Sequence, residues 1–332
     1  MPTIREVAAH AGVSPATVSR VMKGEVPVSA DTRARVEAAI SAMGYAPNAF
    51  ARSLASNRLE GVGLVISHLA GPFMGRVMMT LEATLRRANV SLLVASGGGE
   101  AEREQEAVNF LLGRRCDGLI VHADALSNDT LTELATTTPL VVFNRRVPDI
   151  DAHCISLDNE YGGYLATRHL LDQGHRSIAC LTGPLRQQDA AGRLTGYRRA
   201  LHERGIPVDE QAIIEGDFTE RSGEQGMMTL LAREMPVTAV VAGNDDMALG
   251  AMTILRGRGV AVPRTMSLVG YDNEACARHV MPALTTVHAP LEEMAQAAAE
   301  RLLELIAGAP LPPSTPFMPT LIERETVGPR GM

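Results

Sequence analysis

Nine aromatic or polar residues stand at the ends of predicted strands, or at the starts of the helices that follow them. They are Phe73, Asn144, Arg145, Asp158, Arg193, Phe218, Asn244, Asp245 and Asp272. In open α/β sheets, ligands bind beyond the carboxyl ends of the strands. Aromatic faces would cover a ring and the polar groups would hydrogen-bond its edges, so this set favours a polyol or a base as ligand. For Asn244, Asp245 and Asp272 the alternative is helix capping, because each precedes a predicted helix.

The sequence shows no recognisable catalytic set. Asp245 and Asp246 are adjacent, and adjacent side chains on a helix point apart, so they do not form an acid/base pair. No GxGxxG follows a strand, and the sequence has no Walker loop, HExxH or GxSxG. The four cysteines lie far apart, which fits neither a zinc site nor a disulfide framework. We therefore expect a binding protein with no catalytic residue, no metal and no cofactor.

Composition limits the class of protein further. The chain has 332 residues, of which 45% are hydrophobic and 21% are charged, so two or three globular domains are expected. No run approaches the roughly 18–20 apolar residues of a membrane span. The first residues lack the pattern of a signal peptide, and the scattered cysteines are typical of a reducing compartment. We expect a cytoplasmic protein without a membrane partner.

Charge is distributed unevenly along the chain. The net charge is −7, but residues 1–58 contain seven basic and four acidic side chains, a balance of +3. The remaining residues have a balance of −10. Because polyanions attract basic surfaces, only the N-terminal segment is expected to contact nucleic acid.

Three short helices are predicted in this basic segment. Thr3 has the spacing of a capping box before the first helix, which Gly12 ends. Ser14 and Pro15 have the N-cap and first-turn types that open a second helix to about Lys23. Ser29 caps a third helix. Two short helices joined by a tight turn and closed by a third favour a helix-turn-helix unit, although another small three-helix bundle fits the same pattern.

Longer strings in this segment carry a family resemblance. The stretch from Thr3 to Val21 reads TIREVAAHAGVSPATVSRV, VSADTR begins at Val28, and GYAPN begins at Gly44. In this order and without gaps they resemble the N-terminal signature of the lactose/galactose-repressor (LacI/GalR) family. The resemblance implies a DNA-binding domain over residues 1–46, a hinge helix over 47–58 and an effector-binding core over 59–332.

The resemblance also implies which residues contact DNA. They are Thr3, Ser14, Pro15, Ala16, Thr17, Ser19, Arg20, Asn48, Leu54 and Ala55. Pro15 and Ala16 would offer apolar contacts to base edges, and Arg20 would read a guanine or contact a phosphate. Thr17 and Ser19 would contact phosphates. Leu54 would be a wedge in the minor groove, with ordinary linker packing as the alternative.

Strands and helices are predicted to alternate through the core. The predicted strands cover residues 62–67, 91–95, 118–123, 140–144, 177–182, 238–242 and 266–270. The predicted helices cover 74–88, 101–115, 161–173, 193–204, 222–233, 246–258 and 291–306. This alternation favours parallel sheets covered by helices, in two sheets with a cleft or in an eight-unit barrel.

The resemblance favours the two sheets. It implies an α/β core like that of periplasmic binding proteins, with crossovers near Asn159, Ala289 and Ile322. The first lobe would then comprise residues 59–158 and 290–321, and the second lobe residues 159–289 and 322–332. Arg193, Asn244 and Asp272 match effector-contacting positions of the family.

The effector is expected to be a sugar. RRCDGLIVH from Arg114, ATRHLLDQGH from Ala166 and FMPTL from Phe317 are similar to the galactose repressor and isorepressor branch. Two departures keep an alternative open. GPFM from Gly71 lacks the acid and second aromatic of that branch, and GDF ending at Phe218 is similar to the purine repressor, where the ring stacks on a base.

The predicted function is therefore that of a sequence-specific transcription regulator, a repressor of carbohydrate genes. It would bind a pseudopalindromic operator as a homodimer and respond to a small molecule between its lobes. A regulator dependent on a purine or another co-repressor is the alternative, and a periplasmic-type sugar-binding protein is a weaker one. The helix at residues 74–86, with Met74, Met78 and Met79, would supply dimer contacts or core packing. No leucine heptads follow Ile322, so a dimer is expected rather than a tetramer.

Overall fold

The computed structural model of the 332-residue chain describes residues 2–23, 28–45 and 61–330. Backbone contacts divide the chain into two units, residues 1–60 and 61–332. The predicted hinge over 47–58, with Asn48, Leu54 and Ala55, lies outside the described residues. The two units are described separately below.

The N-terminal unit contains the three predicted helices. They are α1 (Ile4–Ala11), α2 (Pro15–Lys23) and α3 (Ala30–Met43). The Thr3 side chain accepts a hydrogen bond from the Glu6 amide at 3.3 Å, and the Glu6 carboxylate accepts one from the Thr3 amide at 2.6 Å. The predicted capping box is thus confirmed. Gly12 adopts the left-handed conformation, φ 65°, in which a helix commonly ends.

A small apolar cluster holds these helices together. It consists of Val7, Ala8, Ala11, Val18, Val21, Val36 and Ala39. Val18 and Val21 lie one turn apart on α2, so α2 turns its apolar side inward. The opposite side of α2 is left for solvent or a partner.

Residues 61–330 form two parallel-dominated sheets. The first sheet contains β1 (Gly61–Ile66), β2 (Ser91–Ser96), β3 (Gly118–Val121), β4 (Leu140–Phe143) and β5 (Cys154–Ile155) in the order β2-β1-β3-β4-β5. All neighbours are parallel; Leu64, for example, lies between Val94 and Ile120. All six residues of β1 are buried because helices cover both faces. Those helices are α4 (Pro72–Arg87), α5 (Ala101–Gly113), α6 (Asn128–Thr137) and a later helix, α12 (Leu291–Ile306).

The second sheet has six strands. They are β6 (Ile178–Thr182), β7 (Ile213–Glu215), β8 (Ala239–Ala242), β9 (Ser267–Asp272), β10 (Thr285–His288) and β11 (Thr320–Ile322), in the order β11-β10-β9-β8-β6-β7. Only β11 is antiparallel to its neighbour. Its helices are α7 (Asn159–Asp172), α8 (Gln188–Glu203), α9 (Glu220–Ala232), α10 (Asp245–Gly257) and α11 (Ala275–His279).

The chain passes three times between the sheets. It crosses between β5 and α7, between β10 and α12, and between α12 and β11. The first and third crossings run side by side, since the Asp158 amide donates to the Phe317 carbonyl at 2.9 Å. We call the first sheet with its helices the first lobe, and the second sheet with its helices the second lobe. β11 begins at Thr320, two residues before the expected boundary, because Thr320 and Leu321 already pair with β10.

The sequence did not predict β5, β7, β10 or β11. Each has only two to four residues. Such short segments exist through pairing with a longer neighbour rather than through their own hydrophobic pattern. Helix α8 begins at Gln188, five residues earlier than predicted, so that Arg193 lies in its second turn.

His175 fastens the C-terminal segment to the second lobe. The residue is 4% exposed, and its ring has Nδ1 2.9 Å from Thr238 Oγ1 and Nε2 3.1 Å from the Gly328 carbonyl. A carbonyl only accepts hydrogen bonds, so Nε2 carries a proton. Burial lowers the pKa of His175 below its ordinary value.

No helix within the described ranges is long and apolar enough to span a membrane.

Acid should therefore weaken the fold through His175. The pKa of His175 is lower in the folded protein than in the unfolded chain. Its contribution to the free energy of unfolding is therefore complete above the ordinary pKa of about 6.5 and is lost as the pH falls through the pKa of the folded protein. His175→Ala should lower the free energy of unfolding at pH 7.5 by about 1–3 kcal/mol, since buried polar groups lose their partner. It should also reduce the loss of stability between pH 7.5 and 5.5, measured by urea denaturation. The exposed His279→Ala is the control, and equal effects of the two variants would contradict this role.

Candidate functional site

A cavity of about 630 Å³ lies between the carboxyl ends of the two sheets. Its lining comes from the segments after β1, β3, β6, β7, β8 and β9. Of the predicted ligand residues, the lining includes Phe73, Arg193, Phe218, Asn244, Asp245 and Asp272. The structure therefore brings six of the nine together in one cavity.

Arg193 and Asp272 form the floor of the cavity. Both are more than nine-tenths buried, and Arg193 Nη2 lies 3.6 Å from Asp272 Oδ1. The guanidinium donates to Asn159 Oδ1 at 3.0 Å and to the Gly243 carbonyl at 2.5 Å, and lies 3.7 Å from the centre of the Tyr271 ring. Asp272 Oδ1 has no hydrogen-bond donor among the described residues. Because Asp272 lines the cavity, this buried acceptor without a donor is suited to a hydrogen bond from a hydroxyl of a ligand.

The backbone at Asp272 is held in an uncommon conformation, with φ 96°. Positive φ is costly for a residue with a side chain and persists where the surroundings enforce it. Burial raises the pKa of Asp272 to about 6, while the charge of Arg193 opposes this shift. The carboxylate is therefore mainly ionised at neutral pH and becomes protonated in mild acid.

Asp245 is part of the cavity wall but its own hydrogen bonds are satisfied. Oδ1 accepts from the Thr286 hydroxyl at 2.6 Å and Oδ2 from the Glu274 amide at 2.7 Å. Burial raises the pKa of Asp245 to about 8. The hydrogen bond from Thr286 opposes this shift, and the charge of Asp272 adds to it. Asp245 thus ties the start of α10 to the segment after β9.

Phe218 and Asn244 lie beside each other on the second lobe. The Asn244 side chain caps α10 through the Met247 amide at 2.9 Å and donates to the Phe218 carbonyl at 2.9 Å. The predicted capping alternative is thus correct for Asn244, which also lines the cavity. The Phe218 ring packs over Gly183, where a Cβ would lie 2.2 Å from the ring. Gly183 leaves the space for this aromatic wall.

The first lobe supplies Phe73 and a smaller chamber. Phe73 lies in the first turn of α4, with its ring 5.9 Å from that of His122. Asn144 and Arg145 line a chamber of about 90 Å³ that shares His122 with the main cavity. Asn144 Nδ2 donates to Asp189 Oδ2 of the second lobe at 3.3 Å. Arg145 instead donates to the Leu126 carbonyl and to Asn128 Oδ1, both at 2.7 Å, so it shapes the first lobe.

Asp158 differs from the prediction. Its carboxylate accepts from the Tyr161 amide at 2.8 Å and caps α7, and it is not part of the lining of either chamber. The physical reason is its position at a crossover, where the start of α7 needs a cap.

Sequence reasoning missed several lining residues. They include His122, Asp124, Arg186, Gln187, Asp189, Asp217 and Glu274. Most of them lie within four residues of the carboxyl end of a strand. Ligands bind beyond these ends, so considering the first four residues after each strand would have found most of them.

Glu104 builds one wall of the cavity without lining it. It is completely buried, and its carboxylate accepts from the amides of Asp124, Ala125 and Leu126 at 2.9–3.0 Å. The neighbouring Ala123 and Leu126 carbonyls accept from Arg145. The loop after β3 is thereby fixed between a carboxylate and a guanidinium, which determines where Asp124 enters the cavity.

The N-terminal unit presents a second candidate surface. Ser14, Pro15, Ala16 and Arg20 are exposed at the start and on the outer side of α2, and Thr17 and Ser19 are partly exposed. Ser14 Oγ also caps α2 by accepting from the Thr17 amide at 3.1 Å. Thr3 is engaged in its capping box, so its hydroxyl and amide both donate to the Glu6 carboxylate.

Within the described residues, no group of three or more His, Cys, Asp or Glu is arranged to hold a metal.

The combination of this surface with a two-lobed core matches one family. Residues 3–48 match the bacterial regulatory proteins of the lacI family, and residues 167–327 match a periplasmic binding protein-like domain. The HTH-type transcriptional regulator GalR of Escherichia coli (strain K12) is 41% identical over 329 residues, covering 98% of this chain and 96% of GalR. The chain belongs to the lacI family. It is a transcriptional regulator with a helix-turn-helix DNA-binding domain and an effector-binding core.

Solved lacI-family structures agree with the fold. The Lac repressor dimer bound to operator and an anti-inducer has a TM-score of 0.90, with 32% identity, 98% of this chain and 99% of that chain covered. The transcriptional regulator CelR in complex with cellobiose has a TM-score of 0.74, with 34% identity, 98% of this chain and 100% of that chain covered. These findings confirm the predicted family and the two-sheet α/β core.

Replacing Glu104 should loosen this regulator's cavity wall selectively. Glu104→Gln leaves at least one of the three amides with a weaker acceptor, so amide exchange at Asp124–Leu126 should accelerate. The free energy of unfolding should fall by about 1–3 kcal/mol, as for other buried polar groups that lose a charged partner. Hydrogen exchange and urea denaturation measure the two effects. The exposed Glu106→Gln on the same helix is the control, and unchanged exchange at Asp124–Leu126 in Glu104→Gln would contradict the assignment.

Proposed function

We propose that the chain is a repressor of carbohydrate genes that binds a pseudopalindromic operator as a homodimer and is controlled by a sugar in the cavity. The observation that carries the sugar assignment is Asp272, which lines the cavity and whose buried Oδ1 has no hydrogen-bond donor among the described residues. A regulator of this kind works by binding alone and acts in the cytoplasm, where its operator is located.

The charge of the cavity supports a neutral, hydroxyl-rich ligand. Among the described lining residues there are eight acids and two arginines, and Arg193 already faces Asp272. Carboxylates accept hydrogen bonds, so a ligand with many hydroxyl donors satisfies them. A phosphorylated ligand would instead meet a surplus of negative charge. CelR, with its cellobiose, is a relative whose ligand has this chemistry.

A purine-responsive regulator is the second candidate. Phe218 provides a flat aromatic face in the cavity, at a backbone φ of 65° that fixes its direction. An aromatic face covers a base as well as a sugar ring. The remaining lining favours the sugar, because a base offers far fewer donors to the carboxylates.

The dimer would use the outer side of α4. Met79 is 64% exposed there, whereas Met74 is buried and Met78 is partly buried against the core. Met74 is therefore a core residue, and of the three methionines only Met79 presents a large exposed apolar surface. The Lac repressor, to which this chain is similar, is a dimer in its structure with operator, and this supports the proposed homodimer.

The DNA-binding proposal is tested with Arg20. Arg20→Ala should weaken binding to a palindromic duplex from the gene's upstream region by roughly 5- to 150-fold, the cost of one base-reading arginine. Binding to an unrelated duplex should change much less. Fluorescence anisotropy measures both affinities, and the exposed Arg35→Ala on α3 is the control. An equal loss on both duplexes would make Arg20 a phosphate contact.

The effector proposal is tested with Asp272. Titration calorimetry with D-galactose, D-glucose, cellobiose and hypoxanthine should show binding of a sugar, and Asp272→Asn should weaken it by roughly 10- to 100-fold. Sugar affinity should fall as the pH drops through 6, because the acceptor becomes protonated, and Asp272→Asn should abolish this dependence. The exposed Asp149→Asn is the control. If hypoxanthine binds and none of the three sugars does, the effector is a base and the sugar proposal is wrong.

A further inference from the structure

An arginine outside the cavity joins the two lobes. Arg76 lies on α4 of the first lobe, and its guanidinium donates twice to Glu292 at the start of α12, with both bonds 2.8 Å long. The remaining nitrogen, Nη1, donates to Glu274 Oε1 at 3.3 Å. Glu274 follows β9 and belongs to the second lobe. Arg76 is thus fixed to its own lobe by two bonds and reaches the other lobe with the third.

Glu274 connects this ion pair to the ligand site. It is two residues after Asp272, lines the cavity and is 5% exposed. Its amide donates to Asp245, which is itself part of the cavity wall. Arg76 does not line that cavity but faces a separate groove beside Met79. It therefore acts on the ligand site through Glu274 and not by contact.

Charge explains why the pair matters for the arrangement of the lobes. Asp245, Asp272 and Glu274 are three buried acids of the second lobe, and the same lobe places Arg193 beside Asp272. Arg76 is the cation that the first lobe contributes to Glu274. A buried charge that loses its partner is costly, so separating the lobes would leave Glu274 uncompensated.

The other described polar contacts across this cleft are of a different kind. The Arg146 backbone amide donates to Gln188 Oε1, and Gln188 Nε2 donates to the Arg146 carbonyl, both at 3.1 Å. Asn144 Nδ2 donates to Asp189 Oδ2. Neither set joins two side chains of opposite charge. The pair between Arg76 and Glu274 does, with both side chains largely shielded from water. Shielded charge pairs are screened less by salt than exposed ones.

We propose that the ion pair between Arg76 and Glu274 is a tether between the lobes, and that it sets the balance between closed and open cavity. Arg76 is a positioning residue: it holds the segment Asp272–Glu274 against the first lobe. The inference rests on the proposed function in one respect, that effector binding acts through the separation of the lobes. A tether that favours the closed cavity would raise the affinity for an effector and stabilise the arrangement that the effector selects.

The Arg146 amide provides a readout without any ligand. Its acceptor is Gln188 of the other lobe, so it exchanges with solvent when the lobes separate. Hydrogen exchange of the full-length protein, resolved at Arg146, should be accelerated roughly tenfold or more by Arg76→Met and by Glu274→Gln. The double variant should exchange no faster than Arg76→Met, because both substitutions remove one interaction. Arg76→Lys keeps the charge and should restore part of the protection.

Arg86→Met is the matched control, since Arg86 lies on the same helix and pairs only with Glu82 of that helix among described residues. It should leave Arg146 exchange within about twofold of the parent. Unchanged Arg146 exchange in Arg76→Met or Glu274→Gln, even with a lowered melting temperature, would overturn the tether and leave only local stabilisation. The proposal would also be wrong if the increases in the Arg146 exchange rate caused by the two single substitutions multiplied in the double variant. Because neither sugar nor DNA is added, this result is independent of the operator and sugar experiments.

Discussion

The cavity between the two lobes depends on one buried ion pair, Arg193 with Asp272. A guanidinium in the interior requires partners for its donors and its charge, and four surrounding groups meet that requirement: Asn159, the Gly243 carbonyl, the Tyr271 ring and Asp272. These partners come from α7, the end of β8 and the end of β9. Satisfying Arg193 therefore fixes the relative positions of three elements. One oxygen of Asp272, Oδ1, is left without a hydrogen-bond donor among the described residues, and Asp272 lines the cavity.

The packing around this pair leaves little freedom. A Cβ at Gly163 would lie 2.0 Å from the Arg193 carbonyl oxygen, and one at Gly162 would lie 2.0 Å from the Tyr271 hydroxyl. Helices α7 and α8 thus approach closely enough for α7 to support both Arg193 and the ring beneath it. Such close approach of backbones needs glycine because any larger residue would separate the helices.

Each wall of the cavity is fixed from behind by an ionisable side chain. Glu104 holds the loop after β3 by three backbone amides, Asp245 holds the segment after β9, and Arg76 reaches that segment from the other lobe. Several lining residues are carried by loops, and these loops are hydrogen-bonded to helix side chains. A change in the separation of the lobes would therefore move whole walls of the cavity and not single side chains.

Local sequence determined the helix caps, the three N-terminal helices, the alternation of strands and helices, and the family. These features depend on neighbouring residues: Thr3 with Glu6, Gly12 after α1, or the apolar spacing on α2. The rule that ligands bind beyond the carboxyl ends of strands also located six cavity residues. It could not separate Asp158, which caps its own helix, from Asp272, which lines the cavity. Only the tertiary structure decided that, and it alone placed Arg76 against Glu274 and Glu292, which lie 198 and 216 residues further along the chain. A hydrogen bond over such a separation leaves no periodic pattern in the sequence, because it arises from the packing of two lobes and not from the order of neighbouring residues.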